Sequence, residues 1–285
     1  MSLGDGLKKI SLQCSLGTFW AYEIEEAMDA AAQAGFKEVE LMVTRDPATQ
    51  EPDLPLRLAR ERGLRIASVH GPFLFVTKSV WGFDPIEKIK RGTEMCRALG
   101  AETLIVHPPF LWENDYAHWI AKQAELHEQE TGIRIAVETM YPKWVAGRPL
   151  AAYRWIDPED LSRHAPSTAL DTSHLTVARE DVVGAYRVMK DGVAHIHLSN
   201  NAGDGRDGHL ELSTGVVPID DLLDELRRTG YSGSLSLELS VTRYLSRAED
   251  LVDMLSRNRR HVEERLRGAA TCDDVLDRQA PRARR

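Results

Sequence analysis

Residues 133–140 read IRIAVETM, and this short run decides the fold. Its aliphatic and β-branched side chains continue without alternation, as in a strand covered on both faces of a parallel sheet. The run delivers Glu138 near its end, where a carboxylate is costly to bury unless it is paired or bound to a metal. The pattern repeats. RIASVHG (65–71) ends on His70, TLIVHPP (103–109) on His107, and TALDTSH (168–174) on Asp171 and His174; VAHIHLSN (193–200) gives His197 and SLSLELS (234–240) gives Glu238. One such residue would be an accident of sequence. Their recurrence at one structural position describes a site at one end of a bundle of parallel strands.

Two more runs, ISLQCS (10–15) and EVELMV (38–43), bring the strands to eight. Between them lie helix-like stretches such as IEEAMDAAAQAG, IEKIKRGTEMCRALG and IDDLLDELRRTG, most of them closed by glycine. Alternating strands and helices build βα units, and eight units close economically as an α/β fold, a (β/α)8 TIM barrel, with no exposed sheet edge. The expected organisation is one barrel domain over residues 1–268 and a mobile tail over 269–285, where TCDDVLDRQAPRARR has no apolar period. The irregular stretches 73–83, 141–155 and 199–218 follow strands and should roof the same end.

Composition narrows the function classes. Of 285 residues, 42% are hydrophobic and 28% charged, ordinary for a soluble globular protein. The formal net charge of -8 argues against a general nucleic-acid binder, which neutralises phosphates with Lys and Arg. Cys14, Cys96 and Cys272 lack a CxxC spacing, so neither a disulfide framework nor a thiolate zinc site is expected. The first residues lack the apolar core of a signal peptide and no stretch approaches a membrane span, which gives an expected location in the cytoplasm.

Glu138, Asp171, His197 and Glu238 come from four strands and form an oxygen and imidazole set suited to a divalent ion: Mn, Zn, Co or Mg. Asp171 and His174 in DTSH, and Asp207 and His209 in RDGH, look like ligand pairs. Taken singly, each residue also reads as a structural one, a hydrogen-bonded histidine or a carboxylate paired with arginine. His195 shares the inward phase of His197 but lies two residues deeper, which assigns it to the packed interior. His118, His127 and His261 fall in helical stretches and His164 just before a strand, and all four read as surface or capping residues. Trp20, Phe73, Trp81, Phe110, Trp112, Tyr141 and Trp144 lie on the roof, where aromatic faces can pack against a sugar ring or simply pack the loops.

The ordered runs SVHGPF, IVHPPF, AVETM, LDTSH, HIHLSNN, GRDGHLELSTG and SLELS resemble the sugar phosphate isomerase/epimerase family of the xylose-isomerase-like TIM-barrel superfamily, which also contains endonuclease IV. The resemblance spans roughly residues 8–268. Its ketose 3-epimerase branch implies that Glu138, Asp171, His197 and Glu238 hold one divalent ion. Glu138 and Glu238 then act as acid and base on opposite faces of the substrate, moving a proton α to a carbonyl while the metal stabilises an enediolate. His174 and Arg206 would contact substrate oxygens, with His70, His107, Phe73 and Trp112 further binding candidates.

The endonuclease IV branch implies a different use of the same residues. His70, His107, His174, Asp207 and His209 would join the four to hold two or three ions and activate hydroxide against a phosphodiester. Three departures count against DNA repair: Pro108-Pro109-Phe110 after His107, Leu198-Ser199-Asn200 after His197, and a first loop, SLGTFWAYE, without basic residues. The resemblance therefore favours a metal-dependent isomerase or epimerase of a sugar, sugar phosphate or related polyol. A multinuclear hydrolase (an abasic-site endonuclease or a small phosphoesterase) and an inosose-type dehydratase are the alternatives. A non-catalytic binding protein fits poorly, since three convergent carboxylates repel one another without a cation. Such barrels often dimerise or tetramerise, so a homo-oligomer is implied; no membrane partner is.

Overall fold

A computed structural model describes residues 10–145 and 147–268. Eight parallel strands close into a barrel: β1 (Ser11–Ser15), β2 (Glu38–Met42), β3 (Arg65–His70), β4 (Thr103–Val106), β5 (Arg134–Glu138), β8 (Ser167–Asp171), β9 (Val193–Leu198) and β10 (Ser234–Leu237). Each strand pairs with its neighbour in sequence order, and β1 closes the ring on β10 through Ser11↔Ser234 and Cys14↔Leu237. The (β/α)8 fold expected from the alternating runs is the one observed. The expected tail over 269–285, with Cys272, lies outside the described residues.

Most of the helices lie between strands on the outside: α1 (Ile24–Gln33), α2 (Asp53–Glu61), α3 (Pro85–Leu99), α4 (Asn114–Thr131), α5 (Pro158–His164), α6 (Thr172–Ala178), α7 (Val182–Met189), α8 (Ile219–Thr229) and the closing α9 (Ala248–Arg267). Local chemistry sets their ends. Asp84 caps α3 by accepting the Ile86 N–H, Pro85 occupies the first turn, and Gly100 closes the helix at φ 74°, a left-handed conformation suited to glycine. Outward side chains of the strands, including Val39, Leu41, Val69, Leu104, Val106, Ile135, Val137, Ile196 and Leu235, pack with the helices into one large buried core.

The barrel interior is different in kind. Gln13, Ser15, Glu40, Ser68, His195, His197 and Ser236 are all fully buried, so beside a small apolar cluster that includes Ile105 the strands enclose a polar column. Ala136 and Ala169, two residues below Glu138 and Asp171, are small and leave it room. The expected roof stretches contain local order as well: Phe75–Thr77 form one 3-10 turn, and Lys143–Val145 (β6) pairs with Arg148–Leu150 (β7) as an antiparallel hairpin where only irregular chain was expected. Among the described residues no helix is long and apolar enough to cross a membrane.

Candidate metal centre

The strand-end residues arrive as β-register requires. Asp171 lies opposite His197 on the paired strands β8 and β9, Glu138 ends β5, and Glu238 follows β10, anchored by its N–H to the Leu198 carbonyl. His107 lies one residue past β4 and His174 in the first turn of α6. Gly17 makes room for Glu238: a Cβ there would come within 3.1 Å of its Oε1.

One donor atom from each of Glu138, Asp171, His197 and Glu238 lies within 4.8 Å of the others. His197 Nδ1 is the hub, 2.6 Å from Glu138 Oε1, 3.4 Å from Glu238 Oε2 and 3.7 Å from Asp171 Oδ2. The flanks hold the remaining candidates. His70 and His107 turn Nε2 toward Glu138 Oε2, at 3.6 and 3.3 Å, with the two rings edge to face. On the other side His174 and His209 both point Nε2 at Asp207 Oδ2, at 3.2 and 3.1 Å, and Ser173 donates to Asp207 Oδ1. Asp171, His174 and His209 form a further compact group.

Carbonyl neighbours fix the orientation of two rings, because a carbonyl can only accept. His174 donates through Nδ1 to the Thr139 oxygen at 2.8 Å, and His70 through Nδ1 to the Gly71 oxygen at 2.9 Å. Their Nε2 atoms are left to face the carboxylates. Arg206 is exposed; its N–H donates to Asp204 Oδ1 and its carbonyl accepts from Asn201. Phe73 and Trp112 lie on the roof, Phe73 stacked on Tyr116 and Trp112 on Phe110.

Burial and charge compete over Glu138, Asp171, His107 and His209. Burial pushes the Glu138 carboxyl up, but His197, His70 and His174 outweigh it and hold the group well below the carboxylate range. Asp171 goes the other way: burial, helped by Glu238 and Glu138, overcomes His174 and His209 and raises it to about 6. Burial lowers His107 to about 3. His209, half-buried, is raised against its desolvation to about 9 by Glu238 and Asp207.

A divalent cation fits this donor set. Glu138 Oε2, Asp171 Oδ2 and His107 Nδ1 are buried without a hydrogen-bond partner, and the mix of carboxylate and imidazole suits a borderline or hard ion. A cation among them would cancel the repulsion of three convergent carboxylates.

Sequence reasoning did not single out Glu40. It is fully buried on β2, inside the barrel below the four, with Oε1 3.0 Å from His197 Nε2 and Oε2 2.8 Å from His195 Nε2. The available signal was the alternation of Glu38 and Glu40 in a strand of a closed barrel, where one of the two faces must point inward. His195, assigned to the interior, lies there fully buried and bonded through Nδ1 to Ser234 Oγ at 2.8 Å.

A closed βα barrel with imidazoles and carboxylates gathered at the carboxyl ends of its strands defines a class whose chemistry lies at that end. The chain belongs to the xylose isomerase-like TIM barrel family, whose model matches residues 28–261. An uncharacterized protein of Mycobacterium leprae (strain TN) is 30% identical over 258 residues, 84% of this chain and 92% of that protein. Among solved structures, D-allulose 3-epimerase from Methylomonas sp., in complex with D-allulose, superposes with a TM-score of 0.63 at 18% identity, over 90% of this chain and 98% of that one. An AP endonuclease, family 2, from Brucella melitensis gives 0.63 at 16% identity, over 82% and 98%. At such identities these two likenesses concern the fold.

Proposed function

We propose that the chain is a divalent-metal-dependent isomerase or epimerase acting on a sugar, sugar phosphate or related polyol, with Glu138, Asp171, His197 and Glu238 holding the ion. The observation that carries this reading is the convergence of those four residues' donor atoms within 4.8 Å at the carboxyl end of the barrel. The fold likeness to a sugar epimerase supports it. When bound, the metal supplies a Lewis acid that polarises a substrate carbonyl and its neighbouring hydroxyl.

The chain's own residues would do the rest. Glu138 and Glu238 approach the centre from β5 and from the end of β10, so one can remove the proton α to the carbonyl while the other returns it on the far side. Glu238 is the more open, its side chain 13% exposed against 2% for Glu138. That difference suits Glu238 to the face that substrate enters. On this reading His174, held by Thr139, and His107, beside Glu138, would hydrogen-bond substrate oxygens, His174 by exchanging its contact with Asp207.

A second reading has its own support. The groups His70, His107, Glu138 and Asp171, His174, His209 could each hold a further ion, as a multinuclear hydrolase requires. Metal content of the purified protein separates the two: one ion per chain supports the isomerase, two or three the hydrolase. A panel of ketoses and ketose phosphates then tests the reaction, with product mass distinguishing epimerisation from loss of water. Unimpaired turnover by Glu138→Gln and Glu238→Gln would overturn the proton-transfer mechanism.

A further inference from the structure

We propose that Glu40 is the positioning residue of this centre: it holds the His197 proton on Nε2, so that Nδ1 turns a free lone pair toward the cation shared with Glu138, Asp171 and Glu238. The inference rests on the metal-centre reading above and adds a residue from β2 that is not among the four ligands.

His197 lies between two sets of carboxylates. Its Nδ1 faces Glu138, Glu238 and Asp171, whereas its Nε2 is 3.0 and 3.2 Å from the two oxygens of Glu40. A neutral imidazole carries one N–H, and an ionised carboxylate can only accept. With the proton on Nδ1, the Nε2 lone pair would face the Glu40 oxygens and the cation would meet an N–H. With the proton on Nε2, both contacts are favourable. Glu40 thus selects the one tautomer in which His197 is a ligand, the role an outer carboxylate plays for metal-bound histidines generally.

Glu40 is itself held rigidly. Ser15 Oγ donates to Oε1 at 2.8 Å, Ser68 Oγ lies 3.1 Å from Oε2 with its one hydrogen nearer Gln13 Oε1 at 2.6 Å, and His195 Nε2 lies 2.8 Å from Oε2. Ser234 fixes His195 from behind. Glu40, His195 and His197 also have donor atoms within 4.8 Å of one another, but these neighbours already engage both Glu40 oxygens and His195 Nδ1. The group is a support for His197 rather than a second ion site. All three residues are fully buried.

The test uses the whole protein with 15N-labelled histidine, loaded with 113Cd. One-bond coupling of cadmium to His197 Nδ1, together with a proton on Nε2, is the expected signature; coupling to Nε2 overturns the proposal without any variant having to fold. Titration with Mn2+ provides the second readout. Glu40→Gln should bind Mn2+ about 10- to 100-fold more weakly than the parent, and Ser68→Ala, which leaves the carboxylate in place, should lose less and keep the Nδ1 coupling. Parent-like Mn2+ affinity in Glu40→Gln overturns the role of Glu40 while leaving the metal centre standing. A parent protein that binds neither ion removes the metal-centre reading and this one with it.

Discussion

Asp171 accepts the backbone N–H of His174 through Oδ1 at 2.8 Å, while its Oδ2 is buried without a hydrogen-bond partner. One carboxylate therefore caps α6 and aims its other oxygen at the centre. The cap fixes where the helix starts, and the helix start fixes where His174 enters the site. Fold and site share this residue.

The two roles separate by substitution. Asp171 is raised from 3.8 to about 6 by burial, so the metal-free fold favours its neutral form. For a carboxyl raised in this way, the stabilisation is present at low pH and is lost as pH rises through about 6. Asn keeps an acceptor for the cap and cannot ionise. Asp171→Asn should melt a few degrees above the parent in chelator at about pH 8, match it near pH 4, and gain little from added Mn2+. Asp171→Ala loses the cap as well, about 1 kcal/mol, and should melt below Asp171→Asn throughout. Thermal melts across pH check this; a less stable Asn variant in chelator would refute it.

Metal loading should release protons. His197 is held well above the ordinary histidine range in the metal-free protein, because Glu40, Glu238 and Glu138 outweigh its burial. Its Nδ1 must give up a proton before it can bind a cation, so divalent affinity should rise with pH across neutrality. Calorimetric titration in two buffers of different ionisation enthalpy measures the release. The expected count is at least one proton per ion, and zero release would contradict the assignment of His197 as a ligand.

The eight strands and the strand-end residues were legible for one reason: a continuous apolar run that stops on an ionisable group looks the same in sequence as it does in the barrel. IRIAVETM, TALDTSH and SLSLELS each placed their carboxylate correctly at a strand end. Glu40 was not legible in that way, because EVELMV reads as an ordinary strand and its meaning depends on β9 across the barrel. The inward pair His195 and His197 implies a buried carboxylate to receive their protons, but not the strand that supplies it. The β6–β7 hairpin was hidden by Pro149, which normally argues against a strand; it is tolerated here in a pair with no further neighbour.

Close packing of helix on strand gives a prediction independent of any chemistry. Gly92 in α3 lies against Leu104 of β4, and a Cβ there would meet the Leu104 methyl carbons at 2.7 and 2.8 Å. Alanine should gain about 1 kcal/mol of helix propensity. Overpacking a buried leucine costs about 1–3 kcal/mol. The second effect should win, so Gly92→Ala should lower the denaturant midpoint, and adding Leu104→Val should restore part of the loss. A midpoint above that of the parent would show that the interface relaxes freely.

The roof carries the last prediction. Trp112 is 65% exposed yet stacks on Phe110 at 4.8 Å with an interplanar angle of 4°. Phe110 stacks in turn on Tyr153 at 4.6 Å, and Tyr153 meets His107 edge to face at 6.0 Å. The rings form a continuous wall from solvent down to His107, and the outermost one contributes little to the folded core. If a polyol enters along this wall, Trp112→Ala should raise KM severalfold, in line with the about 0.5–1.5 kcal/mol of an aromatic contact, with kcat and Tm nearly unchanged. Phe110→Ala should disturb stability too, because Phe110 also pairs with Tyr153 through the backbone. Steady-state kinetics beside thermal melts separate the two outcomes: a Trp112→Ala variant that loses kcat at unchanged KM would place Trp112 in closure of the site instead of substrate binding.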